Sequence, residues 1–344
     1  MAKICIYGAG SIGCYVGGRL LAGGSDVDFI GRARIADQLR SEGLTLSDYN
    51  DRRWSVPPER IEVSTDAATA AAVADLVLVT VKSAATLTAA AELANLLRPD
   101  TIVVSFQNGI GNTEVLRAAL PHNPVLEGMV PFNVVERAPG AFHQGSAGEL
   151  EIRYSPAMQP FAEEFRKAGL PLIQHADMLP VQWAKLLLNL NNAINALSNR
   201  PLKEELSQRA YRICLAVAQR EALALLKRAN VRPARLTPLP PALIPLVLGV
   251  PDAWFERLGR KMLTIDPLAR SSMSDDLAAG RATEIDWING EVVRLAQRLG
   301  RKAPVNQRLC ELVREAERSD VRPSWSGEAL LAEVRAAAGA SSGQ

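Results

Sequence analysis

Short apolar runs alternate with amphipathic segments over the first half of the chain. The longest apolar runs are rich in β-branched residues, which is typical of parallel strands covered on both faces. The amphipathic segments have the spacing of helices, so the alternation predicts a doubly covered parallel sheet. The predicted strands are residues 3–7, Asp26–Ile30, Ile61–Ser64, Leu76–Val81 and Thr101–Phe106. The predicted helices are Ser11–Ala22 and Ala84–Leu97.

The pattern changes between Val125 and Tyr154, where short apolar stretches are separated by turns such as Ala138-Pro139-Gly140. These stretches predict short strands, which we expect to join the sheet as antiparallel additions. A last helix is predicted at Pro160–Ala168 and a last short strand at Pro171–Gln174. The first domain is therefore expected to cover residues 1–177.

Strand patterns almost vanish after residue 177, and the sequence predicts an all-α domain over residues 178–338. A Pro/Leu-rich stretch at 231–250 cannot be one regular helix; it is either a lid or an oligomer contact. The Ala/Ser/Gly-rich residues 339–344 predict a disordered tail. The predicted helices are Pro180–Ser198, Lys203–Ala229, Asp252–Leu263, Asp275–Ala279, Glu284–Gly300, Asn306–Glu317 and Gly327–Ala338.

Composition narrows the class of protein. The 344 residues suffice for two domains, and a formal net charge of +2 favours neither nucleic acid nor an acidic membrane surface as a partner. Four widely spaced cysteines form no C-x-x-C pair, so reduced, mostly buried thiols and a cytoplasmic location are expected. No apolar run reaches the roughly 18 residues of a membrane span, no signal peptide is evident, and we assign no metal ligands.

The first strand runs into a glycine-rich turn with the spacing G-x-G-x-x-G. Gly8 permits a tight turn, Gly10 lets the backbone approach a pyrophosphate, and Gly13 lets the next helix pack closely on the strand. The phosphates would bind the free N–H groups of the helix that begins with Ser11 and Ile12. The context of strand, turn and helix predicts a dinucleotide site.

The end of the second strand indicates which dinucleotide is bound. NAD-binding folds usually place a carboxylate there to hold the ribose 2′-hydroxyl, whereas this chain has Gly31-Arg32-Ala33-Arg34. A guanidinium such as that of Arg32 can pair with a 2′-phosphate. We therefore expect NADPH/NADP+; the alternative is that these arginines are solvated surface residues.

Polar residues follow two of the buried strands. Lys82 ends the fourth predicted strand and Asn108 follows the fifth. Ligands of open α/β sheets bind outside the carboxyl ends of the strands. We expect both residues where cofactor and substrate meet, against the alternatives of a solvated loop lysine and an ordinary Asn-Gly turn.

Two groups of residues in the second half point to chemistry. Lys185, Asn189 and Asn192 stand at i, i+4 and i+7 on an otherwise apolar predicted helix, so they share a face. Burial would lower the pKa of such a lysine and suit it to donate a proton to a carbonyl oxygen. The alternative is a structural polar face. Farther along the chain stand Ser272, in a Ser-Ser pair, and Glu284. Taken alone, both residues are more simply interpreted as helix caps than as ligand-binding residues.

Together these residues make the chain resemble the ketopantoate reductases, which are NADPH-dependent 2-dehydropantoate 2-reductases. The resemblance spans nearly the whole chain in order. Its motifs are G-A-G-S-I-G at 8–13, T-V-K at 80–82, Q-N-G at 107–109, K-L-x-x-N at 185–189, S-S-M-x-x-D at 271–276, T-E-I-D-x-I-N-G at 283–290 and A-P-V-N at 303–306.

The resemblance implies a Rossmann-type domain followed by a helical domain, and hydride transfer from NADPH to the C2 carbonyl of a 2-oxo acid in pantothenate biosynthesis. Lys185 would be the general acid, and Glu284 would hold the lysine and the substrate hydroxyl. The implied substrate contacts are Asn108, Asn189, Ser272 and Lys82, and the shared helix face adds Asn192 to them. With the residues of the glycine turn and Arg32, the predicted cofactor contacts are Gly8, Gly10, Ser11, Ile12, Gly13, Arg32, Lys82, Asn108 and Glu284. A homodimer is expected by analogy.

The chain departs from the family pattern at two positions. Ala193 stands where a second substrate-site Asn is usual, flanked by Asn192 and Asn195, and Ala269 replaces another Asn. The alternatives are therefore a paralogue that reduces a different 2-oxo acid or an imine, and a non-catalytic NADP-binding regulator. Retention of both Lys185 and Glu284 argues against the regulator, since a sensor of NADP needs neither.

Overall fold

The computed structural model describes residues 2–259 and 269–340. They form two compact units that divide between Met178 and Leu179. The strands of the first unit are β1 (Lys3–Tyr7), β2 (Asp26–Ile30), β3 (Leu44–Asp48), β4 (Arg53–Val56), β5 (Glu62–Ser64), β6 (Leu76–Val79), β7 (Ile102–Ser105), β8 (Val125–Met129), β9 (Val134–Ala138), β10 (Ala141–Gln144), β11 (Leu150–Arg153) and β12 (Leu172–His175). Its helices are α1 (Ser11–Ala22), α2 (Ala33–Glu42), α3 (Ala68–Ala71), α4 (Thr86–Ala94), α5 (Asn112–Ala119) and α6 (Gln159–Lys167).

The main sheet has eight strands in the order β12-β11-β8-β7-β6-β1-β2-β5. All neighbours are parallel except β8 and β11. Every residue of β6 and β7 is buried, which explains their unbroken apolar sequences. The predicted parallel α/β first half is confirmed, and the carboxyl ends of β1, β2, β6 and β7 meet along one edge of this sheet.

The prediction that the strands between Val125 and Tyr154 are antiparallel additions to one sheet was largely wrong. β8 is parallel to β7, and only β11 adds in the antiparallel sense. β9 and β10 belong to a second sheet of order β4-β3-β10-β9, whose strands β3 and β4 were not predicted. Leu46 of β3 faces Phe142 of β10 in register, and both side chains are buried. These apolar faces pack on α1, so the strands cover the helix instead of widening the main sheet.

Helix α1 therefore lies between two sheets and is buried on nearly all sides. The second sheet comes so close that a Cβ at Gly18 would stand 2.9 Å from methyl carbons of Leu44 and Leu46. A side chain at Gly18 would have to displace the ends of these two leucines. The helix that begins at the glycine turn is thus fixed from both faces.

The second unit is helical, as the sequence predicts. Its helices are α7 (Leu179–Asn189), α8 (Asn191–Ser198), α9 (Leu202–Ser207), α10 (Arg209–Arg228), α11 (Ile244–Leu248), α12 (Asp252–Gly259), α13 (Ser272–Ala278), α14 (Asn289–Arg298), α15 (Pro304–Glu317) and α16 (Gly327–Ala340). Within the Pro/Leu-rich stretch a 3-10 turn at Pro241–Leu243 precedes α11, so no single helix spans it.

Several predicted helices are divided or displaced. The expected helix Pro180–Ser198 is interrupted at Leu190, and Lys203–Ala229 is interrupted at Gln208. Asparagine side chains compete with the backbone for hydrogen bonds, which disfavours one continuous helix through Asn189, Asn191 and Asn192. The predicted extension of α12 to Leu263 lies outside the described residues. The tail predicted as disordered is helical at 339–340, and residues 341–344 lie outside the description.

Two smaller predictions can be compared with the fold. All four cysteines are free thiols and buried: Cys5, Cys14, Cys214 and Cys310. Over the described ranges, no helix combines the length and the hydropathy that crossing a membrane requires.

Candidate active site

The glycine turn joins β1 to α1 through only three residues, Gly8–Gly10. Gly8 has φ +117°, and a Cβ there would lie 2.6 Å from the backbone nitrogen of Val81. A Cβ at Gly13 would lie 2.2 Å from the carbonyl oxygen of Gly8. Side chains are therefore excluded at both positions by the backbone itself.

The space in front of this turn is open. A Cβ built on Gly10 meets no atom within 4 Å, and Gly10 provides no side-chain cap to α1. The first N–H groups of a helix have no partner inside it, so those of Ser11 and Ile12 can bind an anion. An uncapped helix end facing open space is the geometry that a dinucleotide pyrophosphate requires, and the residues present fit that group.

Neighbouring strands hold the turn in place. The N–H groups of Gly8 and Ala9 both donate to the carbonyl oxygen of Ile30, at 3.0 and 2.8 Å. The Thr80 hydroxyl donates to the carbonyl oxygen of Gly8 at 2.7 Å. Sequence reasoning used Thr80 only as part of the T-V-K motif and missed its contact with the glycine turn. A threonine at the end of a buried strand is the signal that could have identified this hydrogen bond.

Arg32 caps the start of α2 directly after β2, and its side chain is exposed. Among the described residues its guanidinium takes part in no hydrogen bond or ion pair. Arg34, by contrast, donates to Gln38 at 2.9 Å and lies 3.7 Å from a carboxylate oxygen of Glu136. Of the two arginines predicted near the cofactor, Arg32 is the one whose charge is available to a phosphate.

Lys82 and Asn108 lie at the carboxyl ends of β6 and β7, where a buried hydrogen-bond network joins the two loops. The Ser83 hydroxyl donates to the carbonyl oxygen of Asn108 at 2.8 Å. The Asn112 amide donates to that same oxygen at 2.8 Å and to the Ser83 hydroxyl at 3.1 Å. Gln107 continues the network, donating to the Val81 carbonyl at 3.0 Å. The loops that carry Lys82 and Asn108 are therefore rigidly paired.

Lys185 lies on α7, whose other residues are mostly apolar and buried. Burial lowers the pKa of Lys185 from its ordinary 10.5 to about 8. Asn189 follows on the same helix, but Asn192 belongs to α8, so the single polar face predicted for all three is interrupted. A lysine with this pKa is still protonated at pH 7 and releases its proton more readily than a solvated one.

Ser271 and Ser272 stand at the start of α13, and only one of them caps the helix. The Ser271 hydroxyl accepts the N–H of Ser274 at 3.1 Å, which makes it the helix cap. It also donates to the carbonyl oxygen of Asn192 at 3.3 Å. Ser272 is exposed and does not serve as the cap. The structure thus brings Asn192 and the serine pair together and leaves the second serine open to a ligand.

Glu284 does not open a helix, contrary to the capping alternative. A 3-10 turn at Ile285–Trp287 follows it, and α14 begins only at Asn289. The side chain of Glu284 makes no capping hydrogen bond and is 9% exposed. Its carbonyl oxygen, not its carboxylate, accepts the N–H groups of Trp287 and Ile288. The carboxylate of Glu284 therefore does not serve as a helix cap.

Sequence reasoning missed a buried group beneath the serines. Glu205 on α9 is fully buried and accepts hydrogen bonds from Asn191 and Asn195. Asn195 in turn accepts the N–H of Ser271 at 2.9 Å. The repeated asparagines at 191, 192 and 195 were the only signal in the sequence.

Comparison with known proteins places both halves of the chain in one family. The model of ketopantoate reductase PanE/ApbA matches residues 4–157, and its C-terminal counterpart matches residues 177–317. A 2-dehydropantoate 2-reductase of Pyrobaculum aerophilum is 33% identical, over 63% of this chain and 70% of the relative. That of Pyrococcus horikoshii is 29% identical, over 92% of this chain and 97% of the relative.

A solved structure agrees with these matches. The PanE/ApbA family ketopantoate reductase of Ralstonia eutropha superposes with a TM-score of 0.78 at 29% identity, covering 92% of this chain and 98% of that one. The similarity therefore extends through both units in chain order. We conclude that the chain belongs to the ketopantoate reductase family.

Proposed function

We propose that this protein reduces 2-dehydropantoate (ketopantoate) to pantoate with NADPH. The observation that carries the proposal is Lys185. It is a lysine on an apolar helix, with a pKa lowered to about 8, at the position where the family motif K-L-x-x-N has its lysine. General acid catalysis at a carbonyl oxygen needs a group of this kind.

The bound cofactor would supply a hydride to C2 of the oxo acid. The residues of this chain would do the rest. Lys185 would give its proton to the carbonyl oxygen as negative charge develops there, which stabilises the transition state more than the ground state. The Glu284 carboxylate would accept a hydrogen bond from the lysine and from the new hydroxyl.

The remaining residues would bind and orient the two molecules. Ser272, exposed at the start of α13, would donate to the substrate carboxylate. Asn189 and Asn192 would contact the substrate, and Lys82 and Asn108 would contact substrate and cofactor. The assignments of Ser272, Asn189, Lys82 and Asn108 follow the family motifs, and that of Asn192 follows its place beside the missing asparagine at 193.

For the cofactor we propose NADPH over NADH. The support is the exposed guanidinium of Arg32, in a chain whose second strand ends without a carboxylate. Gly8, Gly10, Ser11, Ile12 and Gly13 would hold the pyrophosphate of either dinucleotide. We also propose a homodimer by analogy with the family, which size-exclusion chromatography with light scattering would test.

The two departures from the family pattern limit the choice of substrate. Ala193 is fully buried within α8, so nothing polar at that position faces a ligand. Asn195 does not replace the missing amide, because it is also fully buried and bonded to Glu205 and Ser271. The two missing amides leave Lys185 and Glu284 in place, so they bear on which 2-oxo acid is bound and not on the reaction.

The test is to follow NADPH oxidation with ketopantoate beside a panel of branched, hydroxylated and aromatic 2-oxo acids. We expect ketopantoate to give the highest kcat/KM. Turnover of another acid alone would keep the reaction and change the substrate. Binding of NADPH with no turnover of any acid would contradict the proposal and favour a non-catalytic regulator.

A further inference from the structure

The serine pair that begins α13 is tied to a buried carboxyl group on another helix. The N–H of Ser271 donates to Oδ1 of Asn195 at 2.9 Å, and Nδ2 of Asn195 donates to Oε2 of Glu205 at 2.9 Å. Asn195 and Glu205 are fully buried, and Ser271 is 5% exposed. A continuous chain of buried hydrogen bonds therefore runs from α9 through α8 to the residue preceding Ser272.

The chemistry of the partners permits only one orientation of the Asn195 amide. Nδ2 faces two acceptors, Glu205 and the carbonyl oxygen of Arg200 at 3.0 Å, whereas Oδ1 faces a backbone donor. Turning the amide over would set oxygen against oxygen and N–H against N–H. Glu205, the Arg200 carbonyl and the Ser271 N–H together fix which end of Asn195 is presented to Ser271.

Helix α9 holds the same segment at a second point. The N–H of Leu202, its first residue, donates to the carbonyl oxygen of Ala269 at 2.8 Å. Between the two contacts, Arg270 donates to the side chain of Asn199 at 3.1 Å. Each of residues 269–271 is therefore fixed by a hydrogen bond. Ser272 follows these three residues directly.

The carboxyl group of Glu205 suits a neutral role. Oε1 has no hydrogen-bond partner among the described residues, and neither has Oδ1 of Asn191, whose amide contacts the same carboxyl group. Burial raises the pKa of Glu205 to about 8. A proton on the carboxyl group adds a donor to a cluster of buried acceptors. A neutral side chain of the same shape, glutamine, should therefore substitute for Glu205 without loss.

We propose that Asn195 and Glu205 are a buried positioning pair that sets the Ser271–Ser272 turn for binding the substrate carboxylate. Neither residue touches the substrate; both act through the backbone N–H of Ser271. The claim about the carboxylate rests on the proposed function, whereas the claim about the turn rests on the hydrogen bonds alone.

The experiment compares Asn195→Leu, Glu205→Gln and Asn191→Leu with the wild type. Asn191→Leu is the matched control, because Asn191 bonds the same Glu205 oxygen at 3.2 Å and lies outside the chain of bonds to Ser271. We expect Asn195→Leu to raise KM for the 2-oxo acid by about five- to tenfold, the effect of one lost hydrogen bond. Its kcat and its Kd for NADPH should stay within about twofold, and Glu205→Gln and the control should resemble the wild type.

A double-mutant cycle with Ser272→Ala tests whether the effect passes through Ser272. We expect the two losses to be non-additive, since Asn195 cannot position a hydroxyl that is absent. Equal losses in Asn191→Leu and Asn195→Leu, or fully additive losses, would overturn the proposal and leave only a general role in stability.

Hydrogen exchange separates this inference from the proposed function, since it needs no substrate. The amide of Ser271 should exchange about tenfold faster in Asn195→Leu and be unchanged in Asn191→Leu and Glu205→Gln. Unchanged exchange in Asn195→Leu would refute the positioning pair even in an active enzyme. A wild type inactive on every oxo acid would refute the proposed function and the carboxylate claim, while faster exchange would still support the hold on the turn.

Discussion

The sites proposed in the two units differ in construction. The turn proposed to bind phosphate in the first unit consists of backbone atoms from six consecutive residues, 8–13, and three of these are glycine. The lysine site proposed in the second unit would consist of side chains that lie far apart in the chain, Lys185, Ser272 and Glu284. The first should be sensitive to any added side chain, and the second to the identity and burial of each side chain. We therefore expect added methyl groups to act mainly on the first site and removal of functional groups to act mainly on the second.

Removing the ammonium group of Lys185 should have the largest effect. Lys185→Ala should lower kcat by about a thousandfold, because general acid catalysis contributes on that order, and should leave Kd for NADPH unchanged. Steady-state kinetics and cofactor titration measure the two quantities. Lys227→Ala, at an exposed lysine of α10, is the matched control. A parallel loss of NADPH binding would contradict the assignment of Lys185 to a site separate from the glycine turn.

Adding one methyl group should distinguish two glycines of the first site. Gly10→Ala should keep its melting temperature, since the new Cβ meets no protein atom within 4 Å, and should weaken cofactor binding about a hundredfold by occupying the phosphate position. Gly13→Ala should lower the melting temperature by several degrees, since its Cβ would stand 2.2 Å from a backbone oxygen. Unimpaired cofactor binding by Gly10→Ala would contradict the assignment of this turn.

Arg32 is the position where a side chain matters in the first site. Arg32→Ala should weaken NADPH binding by about ten- to fiftyfold, the contribution of charge-assisted hydrogen bonds to a phosphate, and should leave NADH binding unchanged. Arg34→Ala is the control, because Arg34 is already engaged by Gln38 and Glu136. Equal losses for both cofactors would show that Arg32 does not recognise the 2′-phosphate.

The pH dependence should report on the second site alone. If Lys185 is the general acid, as proposed, reduction needs its protonated form, and burial lowers the pKa of that group to about 8. Activity should therefore be full below this pH and fall about tenfold per unit above it, earlier than for an ordinary lysine near 10.5. A profile of kcat/KM checks this, with Kd for NADPH as the reference. A flat profile up to pH 10 would exclude Lys185 as the acid.

Local patterns were enough to predict the elements around the glycine turn, but not the elements that cover them. β1, α1 and β2 follow directly from apolar runs and glycines, and their predicted bounds agree with the structure. β3 and β4 were missed because each is short and alternates polar with apolar residues, so only the contact with α1 gives them one buried face. β10, which pairs with β3, lies some ninety residues farther along the chain, and no local pattern reveals such a partner.

The sequence predicted the helices of the second unit but not where they end. A run of leucines and alanines predicts helix through Leu190. The hydrogen bond from Asn195 to Glu205 joins residues ten positions apart, and a local pattern does not reveal it. The contact of Asn195 with Ser271 spans 76 positions. The helix pattern alone predicts a buried lysine at 185, whereas the role predicted for Glu284 depends on the family motifs, because its burial is a property of the folded chain.

The enclosure of α1 between two sheets has a consequence for how the first unit acquires its ligand site. A helix with so little polar surface has no stable existence outside the fold, so the anion-binding turn forms only when the sheets close around it. A dinucleotide bound at this turn, as proposed, would bind the native state and not the unfolded chain, and it should raise the unfolding temperature as its concentration increases.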